Sequence, residues 1–204
     1  MKKKLIVLII TWLVFVASDY FILPYFVQPL IWILFCLVLV VLLIIQIVKT
    51  IKERKNLKLI RVSTLSTIFI LFFMTFYNFN EIPHLIMEKI DWHVSYQKRN
   101  QIVKEVINGK LKSNTKMHNG ICKLSFEFPI VSNGGNDILI DKNKDDQTRA
   151  VHFWISRGFF DSPQIYFVYT HDAETKRHLQ NMIESRPEYN WKIEENWYRI
   201  TERL

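Results

Sequence analysis

Cys122 and His152 are the residues most readily combined into a reaction centre. A thiolate activated by an imidazole is the minimal unit of covalent catalysis, and it would make the chain a hydrolase. Lys123, next to Cys122, supplies some of the positive surroundings that lower a thiol pKa, but a cysteine between apolar residues also reads as a small buried core residue. The only other cysteine, Cys36, lies in a hydrophobic run, and without a CxxC pair a zinc ribbon or thioredoxin-type centre is excluded. Six histidines (His84, His93, His118, His152, His171 and His178) are scattered without HExxH spacing. A zinc site would need His118, His152 and His171 to converge from separate strands. GxSxG, P-loop and dinucleotide-binding fingerprints are absent from the sequence.

Asp141-x-Asn143-x-Asp145 places three oxygen ligands at the first, third and fifth positions of a calcium loop. The pattern then breaks. Asp146 stands where a glycine is needed, His152 where a bidentate glutamate closes the site, and flanking helices are missing. These three are incomplete metal candidates, and a solvated hairpin turn is the expected structure. No cofactor is expected.

Aromatic residues carry more information. Trp154, Tyr166, Tyr169, Trp191, Trp197 and Tyr198 fall in strand-like runs, and neighbours such as Trp197 and Tyr198 must point to opposite faces of a sheet. If one face packs on a helix, the other either offers an aromatic binding surface for a protein or peptide or is covered by a helix over 82–108.

The elements that would hold these residues begin near Asn80. Ile82, Leu85, Ile86, Ile90 and Val94 recur at helical spacing, opposite Glu81, Glu88 and Asp91, so 80–109 reads as an amphipathic helix or stalk, capped by Asn80 and stopped by Gly109. Trp92 suits either the lipid interface or the domain core. Residues 110–120 read as a loop. Strands are expected over 121–131, 138–140, 150–156 and 165–170, with turns at Asn133-Gly134-Gly135-Asn136 and Asp161-Ser162-Pro163. Asp172 can cap a helix over 173–185 with Leu179, Met182 and Ile183 inward, and a hairpin follows over 189–193 and 196–201. Residues 110–204 thus form an α+β domain with a mainly antiparallel sheet.

The first part of the chain is different. Residues 1–79 carry nine basic and two acidic side chains, whereas 80–204 carry eighteen and seventeen, so nearly all of the net +8 sits beside hydrophobic segments. A nearly neutral soluble part cannot supply the field that neutralises phosphates, which excludes nucleic acid as a partner. Hydrophobic runs at about 5–23, 30–48 and 62–79 approach the ~20 residues that cross a bilayer. The first run also resembles a secretory signal with small residues at Val16-Ala17-Ser18, but its apolar character resumes after Asp19 and favours an uncleaved span. Lys2, Lys3 and Lys4, with six Lys and Arg between Lys49 and Arg61, place the N-terminus and the 49–61 loop in the cytoplasm and the C-terminal domain outside it. Ser63, Thr64, Ser66 and Thr67 suggest a close helix-packing seam.

The expectation is therefore a membrane α-helical protein with three spans in the cytoplasmic membrane. It would present a small, non-catalytic extracytoplasmic domain that binds a protein, peptide or envelope component, in an immunity or accessory role. Few glycines and many Ile, Lys and Asn suit a bacterial envelope. Its partners are the lipid bilayer and a protein or peptide outside the cytoplasm, and its oligomeric state is left open. The alternative is a membrane-tethered hydrolase using Cys122 with His152, or a histidine-based metal site.

Overall fold

The computed structural model describes residues 2–22, 27–56, 58–76, 81–115, 120–125, 127, 130–133, 135–143, 147–157 and 163–202. Its chain divides into two compact units, Met1–Ile90 and Asp91–Leu204.

Three helices dominate the first unit: α1 (Lys2–Phe21), α2 (Gln28–Lys52) and α3 (Leu59–Phe76). Two of them are long and apolar enough to cross a membrane. The apolar stretch Leu30–Lys52 has a mean hydropathy of 3.3 with 11% of its residues buried, and Leu59–Phe76 has 1.9 with 17% buried. The core helix of a water-soluble protein hides most of its apolar side chains. Here Leu34, Leu37, Val41, Phe69 and Phe73 are exposed, as a lipid-facing surface requires. The apolar part of α1, Leu5–Phe21, is shorter.

Trp12, Val16, Trp32 and Leu71 hold α1, α2 and α3 together, with Phe15, Phe35, Met74 and Met87 packed against them. Phe15 stacks on Phe35 at 4.1 Å and meets Trp32 edge-on at 5.1 Å. The Trp12 indole N–H donates to Thr75 Oγ1 at 2.8 Å, satisfying a polar group that would be costly in hydrocarbon. Arg61 closes the α2–α3 turn by donating to both Glu53 carboxylate oxygens, at 2.7 and 2.9 Å, and to Gln46 Oε1 at 3.1 Å. The hydroxyl seam does not form as the spacing suggests. Ser63 and Ser66 are exposed, and Thr64 and Thr67 donate to the carbonyls of Ile60 and Ser63 on their own helix.

Helix α4 (Glu81–Ile107) starts in the first unit and continues into the second. Its polarity is the reverse of the amphipathic pattern expected from spacing. Leu85, Ile86 and Ile90 are exposed and Glu88 is buried. Further along, Val94 is exposed while Asp91, Ser95 and Arg99 are buried. Periodicity shows which side chains share a face, and it cannot show which face the rest of the chain covers. The N-cap expected at Asn80 lies outside the described residues.

In the second unit, a six-stranded sheet of order β1-β2-β3-β4-β6-β5 is antiparallel throughout. Its strands are β1 (Ile121–Lys123), β2 (Asp137–Lys142), β3 (Thr148–Ser156), β4 (Gln164–Tyr169), β5 (Trp191–Glu194) and β6 (Trp197–Glu202). Helix α5 (Ala173–Ser185) connects β4 to β5. It begins at the expected cap: Thr175 N–H donates to Asp172 Oδ2 at 2.8 Å.

The first strand is three residues long rather than the run 121–131. Phe126, Phe128 and Pro129 lie outside the described residues. Beyond Lys123 the chain leaves the ladder and returns at Val131–Ser132, where Asn136 takes over the hydrogen bonding: its side chain accepts from Val131 N–H at 3.1 Å and donates to Ser125 O at 2.8 Å. Asn136 does this at φ 62°, which few residues other than glycine adopt.

Both faces of the sheet are covered. One side carries Ile121, Ala150, Trp154, Tyr166, Val168, Tyr198 and Ile200 against Leu179 of α5. The other carries Phe153, Phe167 and Trp197 against the part of α4 within this unit. Trp92 settles into this second layer, 4.9 Å from Phe167 and 5.2 Å from Trp197, which decides between its two expected environments in favour of the core. Both faces must be apolar in a sheet sandwiched between helices, which is why aromatic neighbours alternate along β3, β4 and β6.

Candidate functional site

Strand register decides the covalent reading. Cys122 stands opposite Ile138, which pairs with Phe153, whereas His152 pairs with Leu139, opposite Ile121. Side chains alternate across a strand, so Cys122 and His152 point to opposite faces of the sheet and cannot form a nucleophile–base pair. The chemistry agrees. Burial and the nearby Asp137 carboxylate raise the Cys122 thiol pKa, the reverse of what a nucleophile needs. Burial pushes the His152 pKa down to about 4. Its ring meets Tyr166 edge-on at 5.4 Å, and the shielded Nδ1 has no hydrogen-bond partner. This is the setting of a neutral packing histidine.

The histidines do not converge. His93, His171 and His178 are exposed, His152 is set in the sheet, and His118 lies outside the described residues. Among the described residues, no group of three or more His, Cys, Asp or Glu side chains could hold a metal ion. In the calcium pattern, Asp141 is an exposed β2 residue and Asp145 lies outside the described residues. Asn143 spends its side-chain oxygen on the turn, accepting from Gln147 N–H at 2.8 Å, while its own N–H donates to Gln147 O at 2.9 Å. Those bonds close a β-hairpin.

The six aromatic candidates do not form an exposed patch. Trp154, Tyr166, Trp197 and Tyr198 are buried, and Tyr169 and Trp191 are half-buried. Trp154 Nε1 donates to Gln164 Oε1 at 3.0 Å, and the Tyr166 hydroxyl donates to the same oxygen. Burial pushes the Tyr166 pKa up to about 12. Trp197 Nε1 donates to Asn100 Oδ1 at 3.2 Å. Trp191 lies beneath the Arg199 guanidinium, 4.6 Å from its ring centroid. Their polar atoms are spent on holding the layers together.

The concave feature of the second unit lies instead at one end of the sheet. A cleft of about 710 Å³ opens between the end of α4, the β2–β3 turn and the start of α5. Its charged lining is Lys112, Lys142, Arg149 and His171, with Asp172 the acidic member. Pairing fixes part of this rim. Arg149 Nε lies 3.7 Å from Asp172 Oδ2, its Nη2 donates to Glu174, and its carbonyl accepts from Thr170 Oγ1 at 2.6 Å. Thr175 holds the Asp172 carboxyl below its ordinary pKa by hydrogen bonding through side chain and backbone, with help from Arg149 and His171. Positive groups outnumber negative ones around the opening, which suits an acidic ligand.

Comparison of the chain with protein-family models, with curated proteins and with solved structures gives no match. The geometry carries the argument alone. The sequence reading missed the cleft because its residues are dispersed between Lys112 and Asp172, and the domain's near-zero net charge masks a local excess. Alternating charge between the strand ends and the helix start was the available signal.

The first unit holds a second site that spacing did not reveal. Asp19, fully buried near the end of α1, lies 3.1 Å from His84 Nε2 on α4. Tyr20 meets the same imidazole edge-on at 5.7 Å. An acidic side chain at a span end reads from sequence as solvent-facing. Its partner 65 positions away turns it into an internal clasp.

Proposed function

We propose that this chain is a membrane-anchored binding protein. Three crossings would hold the α/β sandwich on the non-cytoplasmic side, where the basic cleft engages an acidic group of a protein, peptide or envelope component. The single observation behind the binding role is the cleft itself, with Lys112, Lys142, Arg149 and His171 set around Asp172. A concave opening with convergent polar groups is the default ligand site of a domain whose sheet faces are both occupied. Topology rests on charge: the basic residues of Lys49–Arg61 and of the N-terminus favour the cytoplasmic side. The separation of Cys122 from His152 weighs against the hydrolase.

Two measurements on the full-length protein test the reading. A C-terminal alkaline-phosphatase fusion should be active, and a cytosolic reporter in its place should be silent. Affinity capture from detergent should return an acidic partner that the Lys112→Glu/Lys142→Glu variant loses while remaining folded. An inactive phosphatase fusion rejects the topology. Capture unchanged by the double variant rejects the cleft.

A further inference from the structure

The exposed face of α4 poses a specific problem. Leu85, Ile86 and Ile90 are each close to half exposed, whereas Glu88, on the opposite side, is buried. A helix that hides its glutamate and shows its isoleucines is inverted for water. The order changes along the same face: after Val94 the exposed positions become Gln97, Gln101 and Lys104. The apolar stripe therefore covers about three turns and then stops.

What surrounds that stripe follows from the opposite side of the helix. Met87 packs against the cluster of Trp12, Val16, Trp32 and Leu71, and His84 is clasped to Asp19. Val16 lies about 7 Å inside the end of α1 at Phe21, measured along the helix axis. The first turns of α4 thus pack on the same helices whose outer surfaces, at Leu37 and Phe69, are apolar and exposed. The stripe continues that surface.

Building on the membrane reading above, we infer that the first three turns of α4 are embedded in lipid, with Leu85, Ile86 and Ile90 against acyl chains and the helix leaving the hydrocarbon before Gln97. The occupant of this face is hydrocarbon. Each exposed side chain is aliphatic, the buried face already satisfies the polar groups, and the polar switch at Gln97 marks the depth at which water takes over. The membrane-contacting part of the chain then extends well beyond α3.

Photolabelling of the full-length protein tests this. It would be reconstituted into vesicles of phosphatidylethanolamine and phosphatidylglycerol carrying a diazirine on the acyl chain, and the adducts mapped by mass spectrometry. Expected is labelling of Ile86 and Ile90 at the level of Leu37 and Phe69, with none at Gln101 or Lys104. Labels confined to α2 and α3 would overturn the inference and leave the membrane reading standing. Absence of label from α2 and α3 would overturn the membrane reading itself. Ile90→p-benzoylphenylalanine examines the other occupant: a lipid-mass adduct supports the inference, and a cross-linked dimer or an adduct with another protein rejects it.

Discussion

Arg99 Nη2 donates to Asp91 Oδ2 at 2.6 Å, two turns away on the same helix, with both side chains almost wholly removed from solvent. Its Nε donates to Val131 O at 2.9 Å, and the guanidinium lies 4.7 Å from the Phe167 ring centroid. The pair fixes the helix to the sheet by geometry as well as charge, since lysine has no planar fork to reach all three partners. Arg99→Met should lower unfolding stability by about 3–5 kcal/mol, because the Asp91 charge loses its main counterpart in a dry setting. The double variant Asp91→Leu/Arg99→Met should recover most of that loss. Denaturant unfolding of the full chain in detergent, followed by tryptophan fluorescence, measures both.

Gly120 occupies φ +101°, and a Cβ there would come within 2.9 Å of the Ile140 carbonyl oxygen. That oxygen belongs to backbone already fixed in the ladder, since Ile140 N–H donates to Gly120 O at 2.8 Å. Gly120→Ala should therefore destabilise the domain by about 1–3 kcal/mol, through both dihedral strain and the contact. Gly135, at φ +89° with open space around its Cβ position, carries the dihedral cost alone, so Gly135→Ala should cost less. Paired unfolding curves would show the order.

Acid should unfold the domain through His152. In the folded chain its pKa lies at about 4, while an unfolded imidazole titrates near ~6.5. The unfolded chain thus takes up this proton first. Stability is complete above about pH 6.5 and falls as the pH drops from there toward 4, by on the order of 3 kcal/mol in total. Thermal melts of wild type and His152→Phe across that range should diverge, with the variant losing this part of the slope. Parallel curves would show that burial of His152 does not set the acid limit.

The thiol of Cys122 should be slow to react. Its pKa is raised by burial and by Asp137, so the thiolate fraction at neutral pH is small and access is poor. In a Cys36→Ala background, maleimide labelling of the native chain should be at least about tenfold slower than after denaturation. Equal rates would indicate an open, activated cysteine and would reopen the enzyme reading.

Much of the second unit was legible from local pattern. Turn residues and alternation located β2, β3, β4 and the closing hairpin, and the Asp172 cap with Leu179, Met182 and Ile183 located α5. These signals are local, and the structure honours them. What stayed hidden depends on long-range partners. Glu88, Asp91 and Arg99 look solvent-facing by type, yet each is buried, because charged groups can go inside when partners are supplied. The aromatic residues were found as a set, but whether a second helix covers them is a question of packing that alternation leaves open. Likewise, nothing in local spacing brings Asp19 to His84 or gathers Lys112, Lys142 and Arg149 around one opening.

The last strand has its own consequence. β6 follows β5 in the chain but lies between β4 and β5 in the sheet, pairing with both. A protease cut or premature stop ahead of Trp197 would therefore do more than fray a margin: it would remove an interior plank, orphan β5, and uncover Tyr166 and Phe167 together. Such a truncated product would be a ready target for cellular quality control.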